Sequence, residues 1–222
     1  MVWKWRAARK LAVPAAAIGA AIFVATHIPR ARAQVISYES NGLRYEALSH
    51  GGVTIMIAPL PAKIHDWIIY QVAITNGSPV AWEVKPEDFR FEREDGTVIP
   101  ALGAHEVVDT MLKKASRNDA SRLVVAYEET LYGNLHMHST NGYESRREDA
   151  LVATGSNKLK AAATASAIVL APARLGPGQS TDGAVFYAAN GKPLGAGKFV
   201  VNEAAEQFVF PVEEPPPNPS RR

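Results

Sequence analysis

Cysteine is absent from the 222 residues. The chain therefore has no disulfide to staple it and no thiol for lipid attachment. A long apolar run is missing too. The longest, "LAVPAAAIGAAIFVAT" over residues 11–26, has 16 uncharged residues, whereas a membrane-spanning helix needs about 20. Neither G-x-S-x-G nor G-x-x-x-x-G-K-[ST] occurs, so no serine elbow or phosphate-cradling loop is written in the sequence. No internal repeat is evident.

What is present begins with a leader. Lys4, Arg6, Arg9 and Lys10 precede the apolar run, and "HIPRARAQ" follows it, with Ala31 and Ala33 at the −3 and −1 positions of an A-x-A cleavage site. Residues 1–33 read as a signal peptide cut between Ala33 and Gln34, leaving 189 residues. The alternative is an uncleaved N-terminal membrane anchor. Pro14 and the alanine content argue against a permanent span, while Arg30 and Arg32 are unusual just after a cleaved signal. Either way the basic end stays inside and the remainder is exported, to the periplasm or cell envelope.

Removing the leader reverses the charge. All six charges in residues 1–33 are basic, so the rest carries 18 Lys and Arg against 22 Asp and Glu, a formal −4 instead of +2. A nucleic-acid partner, which needs a clustered basic face, is not expected. The far end, "EEPPPNPSRR" over residues 213–222, is Pro-rich and charged, and is expected to be an extended, disordered tail.

Between the ends, residues 35–102 read as about seven short strands punctuated by turns. "VISYE" and "LRYEAL" flank Asn41-Gly42, a hairpin signal. "VTIMIAP" stops at Pro59 and Pro61. In "DWIIYQVAITN", Ile68, Tyr70, Val72 and Ile74 share one face, and Trp67, Ile69, Gln71, Ala73 and Thr75 the other. "VAWEV", "DFRFERE" and "TVIPAL" follow. Near Gly103 the period changes. Val107, Val108, Met111, Leu112 and Ala115 fall at helical spacing, as do Leu123, Val124, Tyr127 and Leu131, and residues 143–168 give a helix broken at Gly155-Ser156. Strand character returns in "GAVFYAA", "GKFVVNE" and "EQFVFPVE". About three late strands make a poor free-standing core, so they are expected to pair with the early ones. The fold class is mainly β with a helical insertion (α+β): one antiparallel β-sandwich domain over residues 34–212, with the insertion at about 103–168.

The stretch "VAITNGSPVAWEVKPEDFRFEREDGTVIP" is similar to the middle of immunoglobulin-like domains of exported bacterial proteins. It shares their apolar strand, Asn-x-Ser-Pro turn, strand near a Phe and Asp-Gly hairpin. "LGPGQSTDGAVFYA" resembles their late Pro-Gly turn and strand. The resemblance implies an immunoglobulin-like sandwich acting as a binding, adhesion or assembly module, and it carries no catalytic residue. The Cys pair of antibody-type domains is missing, and the helical insertion departs from the simple sandwich.

The chemical candidates centre on "LHMHSTNGYESRRED". Imidazole and thioether ligands suit copper or zinc, so His136, Met137 and His138 are candidate metal ligands, with the two histidines on one face if the segment is extended. A site needs further ligands, and His50, His65 and His105 lack metal-type spacing. Glu128-Glu129 and Glu148-Asp149 are adjacent carboxylates, which regular structure points apart. Trp67 and Trp82 read either as a ligand-stacking platform or as caps on the core. The expected function is that of an exported non-enzymatic cell-envelope protein with no cofactor, binding a protein or polymer partner through a sheet edge or the insertion. The alternatives are a periplasmic copper/zinc-binding protein using His136 and His138, and a small hydrolase.

Overall fold

The computed structural model describes residues 34–62, 64–134, 139–152, 155–190, 192–203 and 206–213. The leader with Ala33, the His136–His138 segment and the tail beyond Glu213 lie outside them; Gln34 lies inside. The described residues form eleven strands and four helices, an α+β chain built mainly of antiparallel sheet.

The first hairpin joins β1 (Ile36–Ser40) to β2 (Leu43–His50) through Asn41 and Gly42, with φ of 51° and 74°. Two successive positive φ values define the turn whose twist matches paired strands, and Asn-Gly is its preferred sequence. β3 (Val53–Pro59), β4 (Trp67–Asn76) and, from late in the chain, β9 (Ser180–Ala188) complete a five-stranded sheet in the order β1-β2-β3-β4-β9. β6 (Phe89–Arg93) and β7 (Val98–Pro100) pair with β10 (Gly197–Glu203) and β11 (Glu206–Val212) in a second sheet, ordered β11-β10-β6-β7. β5 (Trp82–Val84) and β8 (Ala173–Leu175) make a two-stranded ribbon. The late strands thus do pair with early ones: β9 with β4, β10 with β6 and β8 with β5.

Four helices lie between β7 and β8 in the chain: α1 (Ala104–Lys114), α2 (Asp119–Tyr132), α3 (Tyr143–Val152) and α4 (Asn157–Ile168). The break expected at Gly155-Ser156 separates α3 from α4, and the Ser156 hydroxyl caps α4 by accepting from the Leu159 amide at 3.2 Å. "SAIVLA" leaves the helix after Ile168. Val169 then bridges Ala184 in parallel, and the Leu170 amide donates to the Ala184 carbonyl.

The five-stranded sheet is covered on both faces. One core gathers Val53, Ile55, Val72, Ile74 and Tyr187 against Phe89, Phe91, Phe199 and Phe210 of the second sheet. The other gathers Tyr45, Trp67, Ile69 and Phe186 against Val107, Met111, Leu123, Tyr127 and Ile168 of the helices. The alternation read along β4 assigns its two faces correctly. Two-sided cover explains why β9 is buried from Thr181 through Tyr187. Trp67 and Trp82 are both buried, so neither is an exposed platform. Trp67 meets Phe186 edge-on within the helix-facing core, and Trp82 meets Phe208 on the opposite side.

Two polar devices fix the layers. Asn76 at the end of β4 is fully buried. Its Nδ2 donates to the carbonyls of Val80 (2.8 Å) and Leu175 (2.9 Å), while its Oδ1 accepts from the Ser78 amide and hydroxyl. Asp182 on β9 accepts from the Tyr127 hydroxyl of α2 at 2.6 Å and from the Thr140 amide at 3.0 Å. Together with burial, that carboxylate pushes the Tyr127 phenol well above its ordinary range.

Candidate functional site

The sequence-derived candidates separate in space. His136, Met137 and His138 lie outside the described residues, and the chain on either side is anchored. Asn134 Nδ2 donates to the Tyr38 hydroxyl at 2.5 Å, and Thr140 is held by Asp182. His50 Nε2 sits 2.5 Å from Glu206 Oε2, beside Phe208. His65 Nε2 sits 3.8 Å from Asp119 Oδ2, and its ring meets Trp67 edge-on. No group of three or more His, Asp or Glu residues suited to a metal ion occurs among the described residues. Asp119 also accepts from the Ser116 amide at 2.7 Å and the Ser116 hydroxyl at 2.5 Å. The carboxylate stands between the serine and the imidazole, which is not the nucleophile–base contact of a triad. It clamps the chain around His65 onto the first turn of α2.

The two adjacent acids of α2 point apart, as expected. Glu128 turns inward, where its Oε1 accepts from Arg147 Nη1 at 2.7 Å and from the Tyr143 hydroxyl at 3.2 Å. Burial first, then the Glu128 charge, push the Tyr143 phenol far up. Glu129 faces outward and forms no ion pair among the described residues. With Arg122, Val125 and Tyr132 it makes an exposed stripe at helical spacing. The opposite side of α2, carrying Leu123, Tyr127, Thr130 and Leu131, is buried.

That stripe forms one wall of a groove. Against it stand Asn41 and Leu43 of the first hairpin and Pro61 and Ala62 after β3. The groove is two open depressions of about 720 and 600 Å³ that share Pro61 and Glu129. Its two walls are tied together at the end of α2, whose last carbonyls need external donors. The Tyr45 hydroxyl donates to the Thr130 carbonyl at 2.7 Å, and Ser40 Oγ and Asn41 Nδ2 donate to the Gly133 carbonyl at 2.7 and 3.2 Å. Tyr132 is half exposed at the rim, its hydroxyl donating to Glu144 Oε1 at 2.7 Å. Burial first, and this bond after it, push its phenol up to about 12, so the ring stays neutral at physiological pH.

The groove also adjoins a sheet edge. β1 ends the five-stranded sheet, and its outer side pairs with no strand among the described residues. Ile36 on it is 64% exposed. Two features the sequence offered as separate binding routes, the sheet edge and the helices, therefore meet at the first hairpin. Glu129 is the solvated acid that the sequence suggests, whereas Val125 and Tyr132 were missed as surface residues. The available signal was an apolar and aromatic pair seven residues apart on the outward side of α2.

No helix among the described residues is long and apolar enough to cross a membrane. Comparison with protein-family models finds no match, and comparison with curated proteins finds no relative. Among solved structures, the chain is similar to the crystal structure of the yjhA protein from Bacillus subtilis at 8% identity and a TM-score of 0.34, over 80% of this chain and 96% of that one. A likeness that slight carries no argument about fold or function.

Proposed function

We propose that the chain is an exported, non-enzymatic cell-envelope protein: an immunoglobulin-like sandwich that binds a protein or polymer partner at the junction of β1 and α2. Export rests on the leader pattern of residues 1–33. The immunoglobulin-like reading draws support from two antiparallel sheets facing each other across one core, with chain crossings from β4 to β6 and from β9 to β10. The observation that carries the binding role is the groove: an open surface walled by Val125, Tyr132, Leu43 and Pro61, with the Glu129 carboxylate and the β1 edge beside it both unpaired among the described residues. Such an edge offers main-chain hydrogen bonds and the groove offers side-chain pockets, the two components of strand-addition binding.

The test is capture from envelope extracts of the source cell with the immobilised chain, compared with a Val125→Asp/Tyr132→Ala variant. Both positions are exposed, so the fold should survive the change. A partner retained by the wild type and lost by the variant is expected. Identical captures from the two chains would defeat the assignment of the groove.

A further inference from the structure

One end of the helical layer gathers parts of the chain that are far apart in sequence. The Lys158 ammonium at the start of α4 donates to the Lys113 carbonyl at the end of α1, at 2.6 Å. Leu159, the next residue of α4, lies against Gly155, where an added Cβ would come within 2.7 Å of its Cδ2. Gly155 in turn follows the last residue of α3, Val152, by three positions. The last turns of α1 and α3 and the first turn of α4 therefore share this tip. Its apolar side chains face water: Leu112 is 44% exposed, Leu159 45% and Val152 77%. A single exposed leucine is ordinary, but one such residue from each of three helices at one end makes a patch. Cations flank it. Lys113, Lys114, Arg117 and Lys158 are exposed, and none forms an ion pair among the described residues. The nearest acids along α1 and α3, Asp109 and Asp149, stand about one turn back, while Asp119 beyond Arg117 is buried and holds Ser116. The chain after the leader carries a formal −4, so the tip locally reverses the sign of the molecule.

An acidic polymer would satisfy these cations and leave the three aliphatic side chains in water. A neutral apolar partner would bury the aliphatic side chains and strand the cations. The surface of an anionic bilayer accommodates both. Aliphatic groups enter the boundary between headgroups and acyl chains, while lysine stems carry their ammonium groups up to the phosphates. We infer that this tip docks on an anionic lipid bilayer, with Leu112, Val152 and Leu159 in the interface and Lys113, Lys114, Arg117 and Lys158 against headgroup phosphates. The inference goes beyond the groove proposed above and uses none of its residues.

The absence of cysteine makes the test direct. A single Val152→Cys in the full chain carries an environment-sensitive fluorophore at the tip. Val80→Cys carries the control, at a residue that is also exposed but sits in the turn after β4, where Asn76 holds its carbonyl. Phosphatidylglycerol vesicles should brighten and blue-shift the label at position 152 and leave that at position 80 unchanged. Phosphatidylcholine vesicles should change neither. Lys114→Glu/Arg117→Glu, both at exposed positions, should raise the lipid concentration for half-maximal response about tenfold, and added salt should weaken the response. Silence at position 152, an equal response to phosphatidylcholine, an equal response at position 80, or indifference to the charge reversal would each overturn the inference. So would the same response to soluble polyglutamate, which would make the partner an acidic polymer. The groove variant Val125→Asp/Tyr132→Ala should respond to vesicles as the wild type does, so this inference and the capture experiment can fail separately.

Discussion

Glu46 shows how a single side chain can work against the fold. Its carboxyl is almost covered, one oxygen lies 3.3 Å from Arg44 Nε, and the other has no hydrogen-bond partner among the described residues. Burial raises its pKa above the ordinary 4.5; Arg44 opposes that and Glu213 adds to it. The native state therefore holds this proton more tightly than the unfolded chain. Stability falls as pH rises from 4.5 through the raised value, and the full cost is present above it. Glu46→Gln removes the ionisation and sacrifices only a half-exposed ion pair, worth little. The variant should melt above the wild type at pH 7, with the gap closing as pH drops below 4.5. Thermal melts across that range check it, and a gap independent of pH would contradict it. At this scale the sequence is least informative. Burial of Glu46 and exposure of Tyr132 depend on which faces become covered, and both residues sit in patterns that read equally well the other way round.

The elements themselves were largely legible. Strand period, Asn-Gly and Asp-Gly turns, and the switch to helical spacing near Gly103 locate nearly all of them within a residue or two. β8 was missed because three residues between Pro172 and Pro177 carry no period to read. The contact between β9 and the chain leaving α4 was also invisible, since it depends on a glycine whose role is spatial. A Cβ on Gly183 would lie 2.5 Å from Leu170 Cα, which is backbone and cannot turn aside. Gly183→Ala should separate the Val169–Leu170 segment from β9 and cost about 1–3 kcal/mol. Urea unfolding measures the loss, and a variant as stable as the wild type would show that the segment shifts freely.

At the scale of the whole molecule, the helices are an insertion in sequence but a layer in structure. The sequence reads as one sandwich with the helices inserted between its early and late strands. In the structure, Tyr45, Trp67, Ile69 and Phe186 on the far face of the five-stranded sheet have their cover in α1, α2 and α4. The reason this was hard to read is that β4 and β9 alternate between two apolar faces, so one buried side could not be told from two. Replacing residues 103–168 with a short linker should therefore expose a large apolar face and give an aggregating chain. A soluble, cooperatively melting monomer from that deletion would show that the two sheets are self-sufficient.

The amides of Leu102 and Leu170 donate to the Phe186 and Ala184 carbonyls on the outer side of β9. Among the described residues the five-stranded sheet is therefore occupied at that margin, and its unpaired edge is β1. A sheet with one accepting margin has a valence of one. It can take a single added strand, or meet a twin across a two-fold axis, and growth then stops. With one free edge among its described residues, this sheet is suited to ending an assembly or pairing within it, not to propagating one.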